Sequence, residues 1–235
     1  MKKRIWELDA FRGICILGMI VVHLMFDLTD LYRIIDWEYP DWFAFMQRWG
    51  GVLFLLISGI CVTLGSRNVR RGLIVLLGGA AVTAVTYCMY KYFSFHKSIV
   101  IYFGVLQCLG SCMILWWVFK RLPTWTLAVI GLAMVAAGLY LDTVMLVNHP
   151  WLVPLGFTYP GFATSDYFPL LPNLGFFLLG TVLGRTAYAK KQSLLPQAWE
   201  KALPIRGLCF LGRQSLWIYL LHQPILAGIC MLLMQ

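Results

Sequence analysis

Runs of about twenty apolar residues recur along this chain, the length a helix needs to cross the hydrocarbon core of a bilayer. By hydropathy they lie near residues 9–31, 45–65, 72–90, 99–119, 124–141, 167–186 and 208–233. In lipid an open strand leaves its backbone unsatisfied, so these runs are read as helices. The expectation is an all-α polytopic transmembrane bundle of about seven spans, with residues 1–235 forming one domain. Breakers fall between the runs at Ser66-Arg67-Asn68, Leu122-Pro123, His149-Pro150, Leu195-Pro196 and Leu203-Pro204. The stretch Asp142–Asp166 carries Pro150, Pro154 and Pro160 among aromatics, and is expected to fold back over the membrane face as irregular chain. With 60% hydrophobic and 12% charged residues, the chain has about half the charge of an ordinary soluble domain. That excludes a soluble globular fold, and the hydrophobicity excludes disorder.

Charge gives an orientation. With the N-terminus inside, Lys2, Lys3, Arg4, Arg12, Arg67, Arg70, Arg71, Lys120, Arg121, Arg185, Lys190, Lys191, Lys201, Arg206 and Arg213 share one side. Only Arg33, Arg48, Lys91 and Lys97 remain on the other, a division of 15 against 4 among the 19 basic residues. Positive residues are retained on the cytoplasmic side, so the expectation is N-in and, with seven spans, C-out. The net charge of +9 is thus topological, and no nucleic-acid partner is expected. A signal peptide is not expected either: the first run carries His23 and Asp27 and lacks a small-residue cleavage site. The seven cysteines all sit within apolar runs and suggest neither a disulfide framework nor a metal site.

The first run carries the chemistry. At the pitch of an α-helix, Asp9, Arg12, Ile16, Met19, His23, Asp27 and Asp30 fall within about 40° of the His23 direction. Ionisable groups inside a span normally face the bundle interior or a wet cavity, which makes them functional candidates. A structural ion pair is the bland alternative. An imidazole one turn from a carboxylate has its proton position set, as a general base requires.

Further candidates lie elsewhere. His222, with Tyr219 and Gln223, is expected at the depth of His23 in the last span, and Gln223 precedes Pro224, which lacks an N–H. Gln107 is a mid-membrane amide that either contacts a ligand or bridges two helices. Asp166, Tyr167 and Asn173 enter the sixth span from outside and suit substrate recognition, with helix capping by Asp166 as the competitor. Arg67, Arg70 and Arg71 suit the phosphates of a nucleotide cofactor, against simple positive-inside retention. No glycine-rich phosphate loop and no zinc spacing occurs.

The opening Leu8-Asp9-Ala10-Phe11-Arg12-Gly13, with a His eleven residues after the Arg, resembles the first helix of the membrane acyltransferase superfamily that includes the acyltransferase-3 proteins. The chain is more closely similar to the heparan-alpha-glucosaminide N-acetyltransferase-like bacterial proteins. The stretches Gly51–Gly59, Tyr102–Gln107, Asp166–Pro172 and Leu211–Pro224 extend the likeness over nearly the whole chain. The chain is shorter than the larger members, and no His occurs between His23 and His96, so the base is His23 itself or another group. The resemblance implies transfer of an acetyl group from cytosolic acetyl-CoA to an amino-sugar amine or sugar hydroxyl at the outer side of the membrane. In that reading His23 is the base and Asp27 holds its ring. Asp9, Arg12, Arg67, Arg70, Arg71, Gln107 and Arg213 hold the acyl donor, and Asp166, Tyr167, Asn173, Tyr219, His222 and Gln223 bind the acceptor. The expected setting is the bacterial cytoplasmic membrane, with a homodimer left open and no metal. The competing reading is a small proton-coupled transporter or flippase using His23 and Asp27.

Overall fold

The computed structural model describes residues 4–93, 95–144 and 149–233. Within them lie eight α-helices: α1 (Trp6–Phe26), α2 (Asp41–Leu64), α3 (Asn68–Tyr92), α4 (Val105–Phe119), α5 (Thr124–Val144), α6 (Leu170–Thr186), α7 (Leu203–Arg213) and α8 (Ser215–Leu233). Five segments are long and apolar enough to cross a membrane: Trp6–Leu31, Asp41–Leu64, Asn68–Tyr92, Thr124–Leu141 and Ser215–Leu233. These mark the chain as an all-α integral membrane protein. The other two expected spans, α4 and α6, are apolar but only 15 and 17 residues long. Lys2 and Lys3, counted above on the basic side, lie outside the described residues, as do residues 145–148 of the expected fold-back. From Pro150 onward that stretch is a short 3₁₀ turn, Pro150–Leu155, followed by irregular chain.

Two boundaries differ from the hydropathy reading for identifiable reasons. The first span does not end as a plain α-helix: Asp27–Leu31 is a π-helical turn, in which the Tyr32 N–H reaches back to the Asp27 carbonyl. The last run is two helices. Pro204 lies in the first turn of α7, where a missing N–H costs nothing, so it starts a helix instead of separating one. The break comes later, at Gln214, in the sparsely populated bridge region (φ −96°, ψ 11°).

The chain divides into two compact units, Met1–Ile57 with Lys190–Gln235, and Ser58–Ala189. In the first, α1 and α7 cross at glycines. A Cβ on Gly13 would collide with the Leu208 carbonyl, and one on Gly212 with the Asp9 carbonyl. Small residues let two backbones touch in this way, which substitutes for the hydrophobic drive that lipid does not supply. Trp6, Ala10 and Cys209 form the buried seam, flanked by Ile205 and Leu208. Glu7, 2% exposed, accepts hydrogen bonds from Ser193 Oγ (2.6 Å) and the Leu194 N–H (2.7 Å), tying the start of α1 to the chain ahead of α7.

In the second unit α3 pairs with α4 and α5 with α6. Gly72 meets Gly110 and Gly131 meets Gly175 at these crossings. The Arg185 guanidinium donates to the Lys120 and Leu122 carbonyls (2.6 Å each) and covers Trp116, closing the turn between α4 and α5.

Candidate active site

The polar centre of the first unit forms where α1 runs into its π-helical turn beside α8. The Asp27 carboxyl group is 0% exposed. Gln223 Nε2 donates to both of its oxygens, at 2.8 and 2.9 Å. The rings of His23 and His222 meet edge to face, with centroids 4.8 Å apart and planes at 68°. His222 Nδ1 lies 2.6 Å from the Tyr219 carbonyl, and the Tyr219 and His222 rings stand at 5.4 Å. Two residues four apart on the first span therefore face consecutive residues of α8. Asp27 and His23 make no hydrogen bond to each other among the described residues.

Nearer the start of α1, Asp9 is buried between two arginines, with Arg12 Nη1 at 3.8 Å and Arg4 Nε at 3.9 Å. Its carboxyl group sits at the α1–α7 crossing, where burial first and then the Asp9 charge raise the Cys209 thiol above its ordinary pKa. Arg213, at the end of α7, is exposed and lines a hollow of about 830 Å³ with Glu200, Lys201, Leu203, Arg206 and Phe210.

The expected polar stripe holds from Asp9 to Asp27 and then fails. Asp9, Ile16 and Asp27 are buried and Arg12, Met19 and His23 half-buried, whereas Asp30 is exposed. A π-helical turn is wider than an α-helical one, so counting on at the α-helical angle misdirects every residue beyond its start. Asp30 instead accepts a hydrogen bond from the Tyr39 hydroxyl, which also meets Thr29, and Tyr39 stacks on Phe43 at 5.1 Å.

The remaining candidates lie in the second unit. Gln107 bridges two helices: its Nε2 donates to the Gly79 carbonyl (2.9 Å) and Thr83 Oγ1 (2.8 Å), and its oxygen accepts from the Gly104 N–H (3.1 Å). Asp166 does cap a helix, but it caps α4, accepting from the Val105 N–H at 3.1 Å. A carboxylate there also meets the positive end of the helix dipole. The Tyr167 hydroxyl donates to the Val153 carbonyl and the Asn173 amide to the Pro169 carbonyl, both at 2.8 Å. Arg67, Arg70 and Arg71 are exposed at the start of α3. Among the described residues no group of three or more His, Cys, Asp or Glu is placed to hold a metal ion.

Sequence reasoning missed the Gln223 clamp on Asp27 and the burial of Glu7. Gln223 was legible only as a neighbour of His222. Glu7 carries no signal, since an acidic residue in a first helical turn is ordinary. A family profile described as heparan-alpha-glucosaminide N-acetyltransferase, catalytic, matches residues 4–224. No curated protein and no solved structure matches the chain.

Proposed function

The chain belongs to the heparan-alpha-glucosaminide N-acetyltransferase catalytic family, and from that premise we propose that it moves an acetyl group from cytosolic acetyl-CoA to an amino-sugar amine or sugar hydroxyl at the outer membrane face. The observation that carries the proposal is the polar centre of His23, His222, Asp27 and Gln223, with Asp27 and His222 buried, within apolar helices of a chain of this family. His23 acts as general base on the acceptor N–H or O–H while the acceptor attacks the thioester carbon. Asp27, fixed by Gln223, positions the turn that follows His23. Tyr219 supplies a hydroxyl for the developing oxyanion, an interaction worth about 3–4 kcal/mol where water is excluded.

The donor phosphates are assigned to Arg12, with Asp9 aligning it, and to the cationic hollow at Arg213. Arg67, Arg70 and Arg71, exposed at the start of α3, are separate candidates for phosphate contact. Gln107 keeps a donor contact only through its oxygen, because both its N–H groups are spent on helix bridging. Asp166, Tyr167 and Asn173 are proposed for the acceptor on the family resemblance alone, since their contacts seen here are with the chain itself. The proposed topology is N-in and C-out in a bacterial cytoplasmic membrane.

The test uses purified full-length protein in detergent with acetyl-CoA and glucosamine, following release of the CoA thiol. Acceptor-dependent thiol release is expected, with CoA binding more tightly than its pantetheine fragment and losing that advantage as salt rises. No thiol release with any sugar acceptor, together with proton uptake into proteoliposomes, would replace this reading with the transporter.

A further inference from the structure

We propose that His222 orients the His23 ring, so that the base of this centre is held in place by an imidazole from a second helix. The step it serves rests on the acetyltransferase reading; the ring pair itself does not.

By spacing alone the group that orients His23 is Asp27, one turn further on. In the fold both Asp27 oxygens receive the Gln223 amide, and the group against the His23 ring is His222, at 4.8 Å. The tautomer of His222 follows from its own contact. Nδ1 lies 2.6 Å from the Tyr219 carbonyl oxygen, and a carbonyl only accepts, so Nδ1 carries the hydrogen and the neutral ring keeps its lone pair on Nε2. His222 is 8% exposed, so this ring is held by its own backbone contact and by packing. Tyr219 packs against the His222 ring, and Asp27 with Gln223 forms the next contact along the same two helices.

The acceptor X–H bond breaks and its hydrogen passes as a proton to His23. The X–C(acetyl) bond forms and the C–S bond of acetyl-CoA breaks. The His23 imidazolium, kept in line by the His222 ring, returns the proton to the departing thiolate, giving CoA thiol. His222 touches neither substrate in this scheme. It is a positioning residue that acts through His23.

The experiment compares wild type with His222→Ala and His222→Gln in detergent, by ¹⁵N-histidine NMR without substrate and by turnover of acetyl-CoA with glucosamine. Only four histidines are present (23, 96, 149 and 222), so single variants assign every resonance. The expected result is that His222→Ala moves the His23 ring-nitrogen resonances and leaves those of His96 and His149 in place. Its kcat falls about 10²-fold, the KM for acetyl-CoA is unchanged, and added imidazole restores part of the rate. His23 resonances that stay put in both variants overturn the proposal, as does a wild-type kcat in a folded His222→Ala protein. Should the Ala variant not fold, His222→Gln decides by the same two readings. A wild type that releases no thiol defeats the acetyltransferase reading alone, and the NMR comparison still decides the ring pair.

Discussion

His23 and Asp27 separate into two kinds of contact, and each predicts a different outcome on substitution. His23 offers an imidazole whose neighbour is another imidazole, so its loss is expected to remove chemistry. His23→Ala should lower acetyl transfer by about 10²–10⁴-fold while acetyl-CoA still binds, as measured by turnover alongside equilibrium binding. Near wild-type turnover would make His23 structural. Asp27 is a buried carboxyl group satisfied by one amide, so the first cost of breaking it is stability. Gln223→Leu removes both donors and should destabilise the protein by about 1–3 kcal/mol in thermal unfolding. The double variant Asp27→Leu with Gln223→Leu should recover most of that loss, since two apolar partners leave nothing unsatisfied. A double variant as unstable as the sum of the single ones would show that the pair is not coupled.

Among the elements, the α1–α7 crossing has the least tolerance. At Gly212 a side chain would enter the Asp9 carbonyl, whereas at Gly207 on the same helix a Cβ has nothing within 4 Å. Gly212→Val is therefore expected to cost about 1–3 kcal/mol, because two helices must move apart to admit it. Gly207→Ala should be neutral or stabilising by up to about 1 kcal/mol, since alanine is the better helix former. Thermal unfolding of the two variants in one detergent checks the contrast, and equal effects would mean that the crossing is not tight. Because Asp9 also faces Arg12 at this crossing, the same packing fixes the cationic end of the stripe that carries His23.

For the whole molecule the open quantity is orientation in the bilayer. The basic excess around Lys190 and Lys191 predicts that this connection is cytoplasmic, while the stretch from Pro150 to Asp166 faces outward. In a background without the seven native cysteines, a cysteine at 190 should resist an impermeant thiol reagent added to intact cells, and one at 160 should react. The reverse pattern would invert the topology and move the proposed donor entrance to the opposite face.

Length and apolarity of the runs determined the all-α membrane character, because lipid leaves a spanning backbone almost no alternative to the helix. The spacing of Asp9, Arg12, His23 and Asp27 determined one shared face, since helical pitch alone aligns them. Where the pitch changes, that reasoning stops: the π-helical turn at Asp27–Leu31 puts Asp30 out of line, and nothing in Asp27-Leu28-Thr29-Asp30-Leu31 announces it. Likewise Arg213-Gln214-Ser215 holds neither Gly nor Pro, yet the last run breaks there. Partner choice belonged to the tertiary structure altogether. An amide such as Gln107 or Gln223 suits a ligand and a neighbouring helix equally well, and only packing decided that one joins α3 to α4 and the other grips Asp27. His23 and His222 lie 199 positions apart in the chain. Only the approach of α8 to α1 brings their rings into contact, a distance that no local pattern encodes.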